Sequence, residues 1–356
     1  MRARIRDLGV SIGEYPAGPE NAITDVPGVL VGHQTVIRDQ PTTVRTGVTM
    51  IVPRHGEIWS DFAYCGVSVL NGNGEMTGVP WIDESGMLGS PIGLANTHQV
   101  GMVRDALVKY LVQQDLERSF FLPVAAETWD GHLNDADAFP LTEGDVRAAL
   151  DAAAAGTVAE GNVGGGTGMI CHEFKGGIGT SSRIVPVDGD DYIIGALVQA
   201  NYGARRDLRI DGLPVGRHIG IDVVPSAWAE SDAREGDGSI IAVVATDAPL
   251  LADQCRRLAR RAGLGLARVG GYAHDSSGDI FLAFATGNHL PAGERLHSVR
   301  SLHHGSMDPL LRAAADVVEE AILNALTGAE TMAGHRGRVA HEMPLDRVAE
   351  ILESGR

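Results

Sequence analysis

The run Ser239-Ile-Ile-Ala-Val-Val-Ala-Thr246 is apolar at both odd and even positions. A strand with that pattern has no solvent face, so it needs cover above and below. Six further segments read as strands: Val29–Ile37, Gly47–Pro53, Ala63–Leu70, Phe120–Ala126, Tyr192–Gln199 and Ile280–Ala285. Several are again apolar on both faces. The cover comes from helices. One is predicted to begin near Thr97 and to align Val103, Leu107 and Leu111. A second is predicted after Asp247-Ala-Pro249, with Asp247 as N-cap and the proline in the first turn. Its apolar stripe is Leu251, Cys255, Leu258, Ala262, Leu266 and Val269, with four arginines mostly off it. A third runs from Asp308 to Gly328, and the Ala-rich Val146–Ala155 suggests a fourth. Strands in mixed order with helices, covered on both sides, imply an α/β or α+β layered sandwich. Strand order stays open at this level.

The chain has 356 residues, and no low-complexity linker or internal repeat divides it. Its 46 glycines in a non-repetitive sequence point to tight turns and close backbone approaches. The net charge of −17 argues against a nucleic-acid surface and against an anionic membrane as partner. Cys65, Cys171 and Cys255 are widely spaced and odd in number, so a disulfide framework is not expected and buried thiols are. The basic start Met-Arg-Ala-Arg-Ile-Arg lacks a following apolar stretch, and nowhere do eighteen apolar residues run together. A cytoplasmic, reduced protein is the expectation.

Three motifs invite chemistry and fall short of it. The thirteen histidines include no HExxH or similar metal spacing, so no metal is expected. Val163-Gly-Gly-Gly-Thr-Gly168 lacks the GxGxxG and Walker patterns, and reads as a place of close backbone approach. Gly9-Val-Ser-Ile-Gly13 matches the GxSxG nucleophile elbow, but no buried strand precedes it and no helix follows it.

Gly238-Ser239 differs in context, because an acidic, Gly-rich lead-in stops at a serine that opens a buried strand. Attack of the Ser239 hydroxyl on the Gly238 carbonyl, followed by ester hydrolysis, would free the Ser239 α-amine. Such an amine titrates at about 7.7–8.0, so it could serve as base for its own hydroxyl. Gly238 lacks the Cβ that would crowd this attack. Local sequence alone favours an ordinary serine at a strand start after a turn, because Gly-Ser at a strand edge is common. Two other segments, Ser276-Ser-Gly-Asp279 and Glu127-Thr-Trp-Asp130, lie at strand ends, where site residues and plain turns both occur.

Taken together, seven motifs in one order resemble the DmpA-type family of N-terminal-nucleophile-like aminopeptidases, peptidase family S58. They are Ile23-Thr-Asp-Val-Pro-Gly-Val-Leu-Val-Gly-His33, Asn71-Gly-Asn-Gly-Glu-Met-Thr-Gly78, Asn162-Val-Gly-Gly-Gly-Thr-Gly-Met169 and Lys175-Gly-Gly-Ile-Gly-Thr-Ser-Ser-Arg183. Val198-Gln-Ala-Asn-Tyr-Gly203, the run from Gly238 to Pro249, and Ser277-Gly-Asp-Ile-Phe-Leu-Ala-Phe-Ala-Thr-Gly-Asn288 complete the set. The resemblance covers nearly the whole chain. It implies an α+β fold, a four-layer αββα sandwich like that of Ntn hydrolases with distinct connectivity. One catalytic domain would span 1–356, self-cleaved into 1–238 and 239–356. It implies no metal or organic cofactor, and a homo-oligomer, commonly a tetramer of cleaved units.

The resemblance also implies roles. Ser239 is the nucleophile, Asn201 donates its amide to the oxyanion, and Ser277 and Asp279 flank the Ser239 amine. Glu127 pairs with the free ammonium of a short peptide, amide or ester substrate. The family usually has tyrosine where this chain has Trp129. An indole N–H donates only, which points Trp129 towards narrowing the acyl pocket. Asp279 stands where the family has glutamate, one methylene longer. The alternatives are an acyltransferase of the ornithine acetyltransferase type or an oligoamide hydrolase, relatives that use threonine, and an unprocessed, non-enzymatic homologue.

Overall fold

Alternation along Ser239–Thr246 sends Ile240, Ala242 and Val244 into one apolar cluster and Ile241, Val243 and Ala245 into another. The strand is therefore the wall between two cores. The structure, a computed structural model, describes residues 2–114, 120–228 and 238–355. Its strands in chain order are β1 (Leu30–Arg38), β2 (Val44–Val52), β3 (Asp61–Gly72), β4 (Met87–Leu88), β5 (Ile92–Asn96), β6 (Val124–Thr128), β7 (Ile170–Cys171), β8 (Phe174–Lys175), β9 (Gly177–Val187), β10 (Asp190–Asn201), β11 (Ser239–Thr246), β12 (Gly278–Pro291), β13 (Met332–Ala333) and β14 (Val339–Ala340). The helices are α1 (Val79–Ser85), α2 (Val100–Val112), α3 (Glu143–Asp151), α4 (Ala252–Val269), α5 (Asp308–Gly328) and α6 (Leu345–Gly355).

Two sheets carry the fold. The larger has the order β4-β3-β12-β11-β10-β9, and the smaller β1-β2-β5-β6. Most neighbours are antiparallel, but β11 pairs parallel with β12, and β5 with β6. The inner core joins Ile51, Leu94 and Val124 of the smaller sheet to Cys65, Leu197, Ile241 and Leu282 of the larger. Outside the smaller sheet, Val48, Met50 and Ala125 meet Val103 and Leu107 of α2 and Val146 of α3. Outside the larger, Val198, Val244 and Phe281 meet Leu258 and Leu266 of α4 and Val318 and Ile322 of α5. The layers are helix, sheet, sheet, helix, the expected α+β sandwich.

The predicted strands all occur, displaced at their ends by up to six residues, and Ser239–Thr246 and Asp308–Gly328 fall on their predicted bounds. Three differences have physical causes. Helix α4 begins at Ala252, not after Asp247, because the Asp247 carboxylate accepts from Ile193 N at 2.7 Å and ties the strand end instead. Helix α3 stops at Asp151 rather than continuing to Ala155, and Ala154 turns away to bridge Val31. Strand β9 was not expected, since Gly177-Ile-Gly-Thr-Ser-Ser reads as a loop. Its small residues serve α5 instead. A Cβ on Gly179 would overlap the Ala321 carbonyl, and Ser181 Oγ donates to Val317 O at 2.7 Å.

All three cysteines are buried thiols. The Gly9–Gly13 segment lies outside every strand, with Ser11 exposed. Among the described residues, no helix is long and apolar enough to cross a membrane.

The closeness of β9 to α5 makes Gly179 a sensitive position. Gly179→Ala is expected to lower stability by roughly 1–3 kcal/mol, as overpacking does, read as a lower urea midpoint. Gly101→Ala, in α2 where a Cβ meets nothing and φ is not left-handed, is the control and should not lower the midpoint.

Candidate active site

Ser239 opens β11 between two partners. On one side its Cα pairs with Asn201, the last residue of β10, and on the other with Gly278, the first of β12. The site thus sits where three adjacent strands of one sheet end together. Ser239 is buried, and its Oγ accepts from Gly278 N at 3.2 Å. Gly238 precedes it at φ +140°, and a Cβ there would overlap the Asn201 carbonyl. Only glycine fits this junction.

Asn201 is also buried. Its Oδ1 accepts from Ile170 N at 2.8 Å, which leaves the amide NH2 as the donor end available to the site. Across β12, Ser277 Oγ donates to Asp279 Oδ1 at 2.8 Å. Asp279 Oδ2 is buried with no hydrogen-bond partner among the described residues. Burial pushes the Asp279 carboxyl up to about 6, against the bond from Ser277 and the pull of His274. The loop that carries this pair is clamped from β3 and the turn after it. Asn71 Nδ2 donates to His274 O at 2.5 Å and Asn73 Nδ2 to Ser276 O at 2.6 Å.

Glu127 comes from β6, in the other sheet. Its Oε1 accepts from Glu75 N at 2.8 Å and its Oε2 from Thr97 Oγ1. The carboxylate is buried, and no salt bridge reaches it among the described residues. Burial raises its pKa, while the Thr97 and Glu75 bonds oppose the shift. Gly74 brings the sheets together here. A Cβ on it would lie 3.3 Å from Glu127 Oε1 and 3.1 Å from Gly278 Cα. A single glycine therefore separates the carboxylate from the backbone beside Ser239. Trp129 sits farther out, 41% exposed, with its ring edge-on to His98 at 4.8 Å and over Gly131. It follows Glu127 by two residues and is far more exposed than the buried Ser239.

Beneath the site runs a buried polar layer that sequence reasoning did not single out. Lys175 is wholly buried, and its Nζ donates to the carbonyls of Met169 at 2.7 Å, Gly176 at 2.8 Å and Gly166 at 3.3 Å. Burial presses its ammonium down to about 7, with Cys171 and Asp130 acting to hold the proton. Burial likewise raises Asp130 to about 7, against bonds from Thr46 and Asn134. The Gly164–Gly166 turn packs against Thr49, Gln199 and Ile178 with no room for a Cβ. That is the close approach expected of it, not a phosphate cradle. Among the described residues, no group of three His, Cys, Asp or Glu side chains is arranged to hold a metal ion.

The profile of peptidase family S58 matches residues 21–340. The chain belongs to that family. It is 42% identical to the beta-peptidyl aminopeptidase BapA of Sphingosinicella microcystinivorans, over 99% of this chain and 92% of that protein. A Burkholderia sp. beta-aminopeptidase structure superposes with a TM-score of 0.93 at 49% identity, covering 99% of each chain. The L-aminopeptidase D-Ala-esterase/amidase of Ochrobactrum anthropi, described as a variant of the Ntn hydrolase fold, superposes with a TM-score of 0.91 at 43% identity. That match covers 99% of this chain and 98% of that one. This S58 chain is thus a hydrolase of the serine aminopeptidase type with an Ntn-type fold.

Asp279 titrates above its unfolded value of 3.8, so the folded state carries a penalty that is full above pH 6 and vanishes below about pH 4. In a Ser239→Ala background, where the 356-residue chain stays in one piece, Asp279→Asn is expected to stabilise by roughly 1–3 kcal/mol at pH 7.5. The gain should shrink to nothing as pH falls to 4, followed by urea midpoints across that range.

Proposed function

We propose that this protein cuts its own chain before Ser239 and then works as an aminopeptidase on short peptides, amides and esters with a free amine. The observation that carries the proposal is the Gly238-Ser239 junction, set at the opening of β11 beside Asn201, Ser277 and Asp279. Glu127 lies one glycine away.

In the first step Ser239 Oγ attacks the Gly238 carbonyl carbon. The C–N bond breaks, the nitrogen gains a proton, and an ester to Ser239 remains. Water then hydrolyses the ester, leaving a Gly238 carboxylate and a free Ser239 amine. The unpartnered Asp279 Oδ2 is the acceptor that orients this amine.

In turnover the α-amine takes the proton of Ser239 Oγ as the oxygen attacks the substrate carbonyl. Asn201 donates to the oxyanion, a placement that stabilises charge only as it develops. When the tetrahedral species collapses, the amine passes its proton to the leaving nitrogen. Water then releases the acyl group and restores the hydroxyl.

Glu127 supplies the choice of substrate. A buried carboxylate held by two neutral donors gains most from a cation, and the substrate ammonium is one. A blocked amine leaves that carboxylate unpaired. Two of the relatives are named for β-aminoacyl chemistry, which supports including β-aminoacyl compounds among the substrates. Trp129, two residues on from Glu127, bounds the acyl side chain.

Intact-mass spectrometry of purified protein is expected to give two fragments, the smaller beginning at Ser239. Ser239→Ala should give one 356-residue chain with no turnover. A full-length wild-type chain with full activity would sink the processing step. Free α- and β-aminoacyl p-nitroanilides should be cleaved and their N-acetyl forms not. Glu127→Gln should lower kcat/KM on the free amine on the order of 100-fold or more, the usual result of removing one member of a buried charge pair.

A further inference from the structure

The oxyanion donor has support that the proposed mechanism leaves unexplained. Asn201 Oδ1 is held by the N–H of Ile170, at 2.8 Å. That N–H belongs to the same peptide group as the Met169 carbonyl, and the carbonyl accepts from Lys175 Nζ at 2.7 Å. In its protonated form, which three carbonyl acceptors favour against burial, Lys175 sets a cation at one end of the peptide and the Asn201 amide at the other. The three N–H bonds of an ammonium meet three carbonyls here, those of Gly166, Met169 and Gly176. Each donor is used, and among the described residues no carboxylate bonds to the cation directly.

We propose that Lys175 is a positioning residue for the oxyanion hole, polarising the Met169–Ile170 peptide and so the Asn201 amide. The proposal rests on the reading of Asn201 as oxyanion donor. An ammonium on the Met169 oxygen draws electron density towards that end and makes the Ile170 N–H a stronger donor. The stronger donor in turn polarises Asn201, so that its NH2 carries more positive charge towards the substrate. Chains of this kind strengthen by about 10–30% per bond in a low-dielectric interior. The same contacts fix direction. Lys175 also bonds Gly176, whose N–H donates to Met169 O at 2.9 Å, so the peptide cannot turn without breaking the Lys175 contacts. Lysine is needed because a neutral side chain of the same length supplies neither the charge nor three donors.

A double-mutant cycle tests this, with kcat and KM measured per cleaved subunit on a free-amine p-nitroanilide. Variants that stay uncut are assembled by co-expressing residues 1–238 with 239–356 behind an initiator methionine that the host removes. Asn201→Ala is expected to lower kcat by about 10²–10³-fold, as loss of one oxyanion donor does. Lys175→Met should lower kcat by roughly 10–100-fold, the scale of a small misplacement of a catalytic group, with KM within about threefold. In the Asn201→Ala background the further effect of Lys175→Met should fall to about threefold or less. Should Lys175→Met not fold, Lys175→Gln keeps two donors without charge and carries the same comparison. If Asn201→Ala leaves kcat unchanged, the oxyanion reading itself fails, and the role of Lys175 with it. If Asn201→Ala slows turnover but Lys175 variants cost the same factor with and without it, Lys175 is structural only and this inference is overturned.

Discussion

The parallel pairing of β11 with β12, in the register Ser239 to Gly278, is the constraint on which the rest depends. It is an unusual join in a sheet otherwise antiparallel. It sets two strand beginnings side by side, so the residues that open each strand share one small space. Antiparallel β10 closes the other flank and brings its last residue, Asn201, level with them. A slip of one residue would turn Ser239 towards the opposite core and exchange every apolar side chain of β11 between clusters. Burial on both faces therefore holds the site in register.

Much of this was legible in the sequence, and the limits are instructive. Strand β11 and helix α5 could be bounded because their apolar runs are long and their ends carry turn or cap residues. Strand β9 could not, because its glycines and serines suit a helix lying almost on the backbone, a fact of tertiary packing. Asp247 looks like a helix cap in isolation, yet its carboxylate accepts from Ile193 N, in the neighbouring strand β10. The same applies at the site. The side chains named from the motifs, Ser239, Asn201, Ser277, Asp279 and Glu127, are brought together by the fold. Trp129 stays half exposed beside His98. Their supports were not visible, because Ile170 and Glu75 act through backbone N–H groups that leave no trace in residue type. Lys175 is visible as a residue, but its three acceptors are carbonyls that only folding assembles.

Two buried carboxylates show how one fold tunes like groups differently. Glu127 is held by the Thr97 hydroxyl and by the backbone N–H of Glu75, just past β3 of the larger sheet, and both oxygens are occupied. Asp279 has one oxygen bonded to Ser277 and the other without a partner. Burial raises both. The first has both oxygens occupied, while the second is left short of a donor. In the proposed function that difference in saturation, more than in charge, separates a binding group from an orienting one.

The junction at Gly238 has a consequence for the lifetime of the protein. Strand β11 is laced on both sides, to β10 and to β12, and both its faces are buried. A chain cut before Ser239 would keep all of those bonds, so folded structure alone would not register the cut. The unfolded state would register it, because two separate polypeptides must find each other again before β11 can pair. Refolding would become a second-order process, diluted away in a cell. Endurance of the cut protein would then rest on how slowly it opens rather than on how favourably it closes.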